Sequence, residues 1–112
     1  WQQLVKETVA FFAANRGLIR ALHLHSRLNP ALVPQGSTKA RERLYQALEP
    51  LITKQGLNAR ARQRRARMAA LVMVSVITEA MLYSDMTPVA ASGLNKGQLV
   101  EGLSELLKSY SE

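Results

Sequence analysis

Residues 68–83 read MAALVMVSVITEAMLY, a run in which Ser75, Thr78, Glu79 and the closing Tyr83 are the only polar side chains. The run is too short and too polar for a membrane span, which needs about 20 predominantly apolar residues. On a helical wheel its apolar side chains fall on all sides, and a helix apolar all round has to be covered on several faces. The stretch therefore predicts a buried helix around which the rest of the chain is arranged. Asn58 is placed to cap that helix, which should run to about Ser84.

The same helix begins very differently. Residues 59–68, ARARQRRARM, hold five arginines and no acid, and outside this run ten basic residues stand against eight acidic ones. Most of the formal charge of +7 thus belongs to one segment. Arg60, Arg64 and Arg67 share one face while Arg62 and Arg65 point nearly opposite, so the half-helix is basic around most of its circumference. Three readings stay open: a solvated lead-in to the buried half, a contact with an anion, acidic partner or membrane surface, or a basic helical module that binds nucleic acid directly. The last lacks a recognition fold and stacking aromatics, none of which lies between Asn58 and Leu82.

Four more helices surround this one in sequence. In the first, Trp1, Leu4, Val5, Thr8, Val9, Phe11 and Phe12 share a face, and Asn15 and Gly17 supply stop signals. The second, about Leu18 to Leu28, spreads Leu18, Ile19, Ala21, Leu22, Leu24 and Leu28 over an apolar arc with His25 near its centre; Arg16, Arg20, His23 and Arg27 form the opposite, basic edge. Asn29 before Pro30 ends it, and NPALVPQG is a loop. Ser37 is placed to cap a third helix running to about Gln55, with Ala40, Leu44, Ala47, Leu48 and Leu51 inward, Tyr45 and Ile52 at the border, a kink at Pro50 and Gly56 as its stop. After the loop DMTPVAASGL, Asn95 and Gln98 form a capping-box start for the last helix. Its residues Leu99, Val100, Leu103, Leu106, Leu107 and Tyr110 fall within about a 120° arc. That stripe packs either on its own chain or on a second copy.

The totals agree with one all-α domain over residues 1–112: the chain is 47% hydrophobic and 21% charged, ordinary for a globular protein and too apolar for a disordered tail. Cysteine is absent, which removes disulfides and thiolate metal sites and fits a cytoplasmic setting. Trp1 opens inside an amphipathic pattern with no cap before it, so we expect a piece of a longer protein.

Chemistry is sparse. His23 and His25 project about 200° apart on a helix and do not converge on one metal. His25 is either a satisfied core residue or a pocket residue. No nucleophile sits in a catalytic motif, and SGLNKG lacks the spacing of a phosphate-binding loop; we expect no enzyme, metal or cofactor. Glu79, with Ser75 and Thr78, lies on one arc of the buried helix. A buried carboxylate needs a partner or takes up a proton, so Glu79 belongs either to an internal pair or to a mostly apolar ligand cavity with a few orienting polar groups.

Three segments resemble the C-terminal regulatory domain of the tetracycline-repressor (TetR) family of bacterial transcriptional regulators. FFAANRGLIRALHLHSRLNP resembles the helix, break and helix that open that domain, MAALVMVSVITEAMLY its long core helix, and LNKGQLVEGLSELLKSY its terminal helix. The resemblance implies a five-helix bundle that senses a small, mostly hydrophobic effector and forms a homodimer through a four-helix bundle built from its last two helices. Operator DNA would be bound by an N-terminal helix-turn-helix domain that is not in this chain, and no membrane partner is implied. The ligand-binding residues expected from the wheel are His25, Tyr45, Ser75, Thr78, Glu79 and Tyr83. The expected dimer residues are Leu99, Leu103, Leu106, Leu107 and Tyr110.

Overall fold

The computed structural model describes residues 1–28, 35–85 and 92–112. Among these residues are five α-helices and no strand: α1 Gln2–Ala14, α2 Arg16–Leu28, α3 Gln35–Leu48, α4 Ala59–Leu82 and α5 Lys96–Ser111. The predicted loop at 29–36 lies outside the described residues up to position 34, and that at 85–94 does so from 86 to 91.

Helix starts follow their capping chemistry. The Asn58 side chain accepts from the Ala61 amide at 2.8 Å and opens α4. Asn95 and Gln98 exchange both bonds of a capping box, at 2.8 and 3.0 Å, and open α5. At the third helix the expectation fails twice. The helix is already formed at Gln35, so Ser37 lies inside it, and it stops at Leu48 instead of bending at Pro50 and running on to Gln55. Pro50 sits in a 3-10 turn, Glu49–Leu51, after which Ile52 is extended. Proline's missing amide is harmless in the first turn of a helix and disruptive inside one, so the chain breaks at Pro50 and restarts.

The packing centres on α4. Its Ala69, Met73 and Ile77 meet Val5 and Val9 of α1 and Leu99, Val100, Leu103 and Leu107 of α5 in one buried cluster. A second cluster joins Ala66 and Ala70 to Leu48 and Ile52, with Trp1, Leu4, Leu44 and Tyr45 at its margin. The small side chains of Ala66, Ala69 and Ala70 let neighbouring helices come close, and each large apolar side chain buried against them contributes about 1.5–3 kcal/mol.

The C-terminal end of α5 is tied down by polar groups. Thr53 and Lys54 donate backbone N–H bonds to the Ser111 carbonyl at 2.9 and 2.8 Å. Arg65 donates to the Tyr110 carbonyl at 2.8 Å, with its guanidinium 4.7 Å from the Tyr110 ring centroid. A cation belongs at the negative end of a helix. Arg65 is therefore structural, and Arg67, over the Tyr45 ring at 5.5 Å, holds α3 against α4. The arginine run is divided: Arg60 and Arg64 face solvent, as in the solvated reading, while Arg62 and Arg65 are partly buried.

Two expectations about faces are corrected. Leu99, Leu103 and Leu107 are buried in the chain's own core, leaving Leu106 and Tyr110 of the predicted dimer stripe exposed. The stripe spans more arc than one contact uses, so its middle closes the intrachain core and only its edge reaches the surface. The second correction is larger. α2 has no buried residue, and Leu18, Leu22, Leu24 and Leu28 all face solvent. The helix docks by its basic edge, because the end of α4 presents the Met81 carbonyl and Asp85 to it.

Candidate functional site

The seam between α2 and the end of α4 gathers most of the polar chemistry. Arg16 Nε donates to the Met81 carbonyl at 2.8 Å, at the negative pole of α4, and Arg16 Nη2 lies 3.6 Å from Asp85. Arg20 Nη1 reaches both Asp85 carboxylate oxygens at 3.3 Å, and these contacts hold that carboxyl below the usual carboxylate range. One turn further along α2, His23 Nδ1 and the Tyr83 hydroxyl are 2.6 Å apart. Their rings sit 5.6 Å apart, and the Arg20 guanidinium lies 5.5 Å from the Tyr83 centroid.

Burial lowers the pKa of His23, and the neighbouring Arg27 lowers it further, with Glu79 partly opposing them. The neutral ring is thus favoured, and its Nδ1 and the Tyr83 hydroxyl share one hydrogen bond whose donor is set by the ring's tautomer. The sign of the pH effect follows. A histidine whose folded pKa lies below its ordinary value of about 6.5 contributes stability that is complete above that value and is lost as pH falls through the folded one. We expect the melting temperature to drop as pH falls below about 6.5, and His23→Asn to flatten the drop. An equal drop in the variant would remove His23 from this account.

The expected ligand residues do not converge. Tyr83 is buried at the seam and Thr78 is buried on α4, but Ser75 and Glu79 are exposed. Glu79 is therefore not the buried carboxylate the wheel suggested; the helix is covered on fewer sides than an all-round apolar sequence implied. His25 is exposed and His23 takes the inward position, as their opposite projection requires once α2 is turned over. Tyr45 lies elsewhere, in a cleft of about 150 Å³ between α3 and α4 with Glu42, Glu49, Gln63 and Arg67.

Three larger clefts flank α1 and α5. One of about 530 Å³ lies between the ends of α1 and α4 and the start of α5, and includes Arg16, Met81, Asn95 and Leu99. A second, of about 680 Å³, runs along α1 and α5 past Lys6, Ala10, Ala13, Lys96 and Val100. The third, of about 730 Å³, lies by Trp1, Leu51, Glu101, Ser104 and Lys108. None of the six expected ligand residues lines these three.

Sequence reasoning missed Arg16, Arg20, His23 and Asp85 as a set. Their signal was present, a basic edge at i, i+4 and i+7 and an acid just past the end of an apolar helix, but a wheel shows no partner. Comparison with family models, with characterised proteins and with solved structures finds no match to this chain.

Proposed function

We propose that this chain is the effector-sensing and dimerising domain of a TetR-like transcriptional regulator. The observation that carries the reading is the outer face of the α4–α5 pair. Arg65 meets Tyr110 at one end, and Met81 and Leu99 share a cleft at the other, so the two helices run antiparallel. Along their outer side Met68 and Val76 of α4 and Leu106 and Tyr110 of α5 are exposed, with Val72, between the first two, packed in part against the core. Met68 and Leu106 are 47% and 68% exposed. Two copies joined by this face about a two-fold axis form a four-helix bundle. Ser75 and Glu79 belong to the same outer face and act there as interface residues, not as ligand contacts.

Effector sensing falls to the α2–α4 seam, where Tyr83 and His23 supply polar groups, with Thr78 buried on the same helix as Tyr83, and α2 is held by polar contacts without a buried side chain of its own. An effector that prefers one placement of α2 shifts the population towards it, by no more than its differential affinity. Thermal melts of the chain against a panel of apolar compounds bearing one polar group test this. Saturation at about 100 times Kd adds about 2.7 kcal/mol, a rise of several degrees for a domain of this size, and Tyr83→Phe should diminish it. A panel without any riser, or a rise untouched by changes at Thr78, Tyr83 and His23, rejects the seam as the sensor.

A further inference from the structure

α1 and α5 pack together where their side chains are small, with Ala10, Ala13 and Ala14 on one side and Gly97 on the other. Side chains of this size leave a trough of about 680 Å³, floored by Val9 and Val100, which are 2 and 9% exposed. Its α1 wall runs from Gln2 to Ala14, about 18 Å of helix. The volume is that of a small-molecule site, and the length suits a linear ligand better than a compact one.

Charge selects the ligand's other end. Lys6 and Lys96 line the trough, and none of the described residues lining it is acidic. Among the described residues neither lysine has an ion-pair or hydrogen-bond partner. Acids on the same two helices are engaged or turned elsewhere: Glu7 accepts from Gln3 at 2.8 Å, and Glu101 lines the separate cleft by Trp1. Lys96 is moreover the first residue of α5, whose first turn holds no acid. A cation at the positive end of a helix is disfavoured and an anion there is favoured. Two uncompensated ammonium groups beside an apolar floor match a ligand with one negative head and an aliphatic body.

We propose that the α1–α5 trough binds a linear aliphatic carboxylate, its chain on the Val9 and Val100 floor and its head on the Lys6 and Lys96 rim. The trough shares no residue with the His23–Tyr83 seam, and the proposal does not rest on the regulator reading.

The test is isothermal titration of the whole chain with decanoate, which should fill one site per chain and bind more weakly as salt is added. Decylammonium has the same chain with the opposite charge, and acetate has the charge without the chain; each should bind at least about tenfold more weakly. Changing Lys6→Gln and Lys96→Gln together should cost about tenfold in affinity. Ala10→Leu, which fills the trough from its open side, should cost at least about tenfold. All three positions are exposed, so circular dichroism should show the native fold. Lys108→Gln, on α5 but outside the trough, should bind as the wild type does. The proposal is overturned if decanoate does not bind, if many molecules bind per chain, or if decylammonium binds as tightly. It is equally overturned if the double lysine variant and Ala10→Leu both keep the wild-type affinity. Decanoate binding that those variants keep and Tyr83→Phe loses would belong to the effector seam, and so would reject the trough while supporting the seam.

Discussion

Leu103→Glu should unfold the chain. Leu103 is 3% exposed and lies in the cluster formed by α1, α4 and α5. Removing a buried leucine side chain costs about 2–5 kcal/mol, and placing an unpaired carboxylate in the same space costs several more. A domain of this size has about 5–15 kcal/mol in all. Urea titration followed by circular dichroism should show a collapsed midpoint or no cooperative transition at all. The result bears on how α5 is read, because Leu103 sits in the middle of the stripe that the wheel offered as a dimer contact. A folded Leu103→Glu variant with the wild-type midpoint would move Leu103 out of the core.

The contrast between α5 and α2 shows what a helical pattern contains. Asn58, Asn95 and Gln98 announced their helices because a cap is local chemistry, complete within four residues. The all-helical class and the central place of the 68–83 segment were legible for a related reason, since an apolar run of that length has few alternatives. Which face meets which neighbour was not legible. On α5 the wheel located the apolar arc and could not divide it between the chain's own core and its surface. On α2 it located two arcs and ranked them by hydrophobicity, whereas the Met81 carbonyl at the end of α4 and the Asp85 carboxylate matched the basic one. Glu79 failed likewise: its expected burial rested on the apolar company it keeps along α4, and that side of the helix is open. Pro50 was recognised as a disturbance, but bending and stopping a helix look identical in sequence.

Leu106→Glu should split a dimer and leave the fold alone. Leu106 is 68% exposed, so the free chain accepts the charge at little cost. In a two-fold interface each substitution acts twice. The loss of two leucine burials is about 3–6 kcal/mol before any desolvation of the paired carboxylates. That is about two to four decades in the dissociation constant. Light scattering of the wild type should give about twice the 12.4 kDa chain mass, and the variant should give the chain mass at the same concentration. Met68→Glu, on the adjoining edge of α4, should do the same, while Glu101→Lys, on the opposite side of α5, should not. Urea midpoints separate this from misfolding: Leu106→Glu keeps the monomer's transition and Leu103→Glu abolishes it, although the two residues stand three apart on one helix. If the wild type is a monomer, or if Leu106→Glu and Met68→Glu both stay dimeric, the α4–α5 face is not the interface. The regulator reading then loses the observation that carries it.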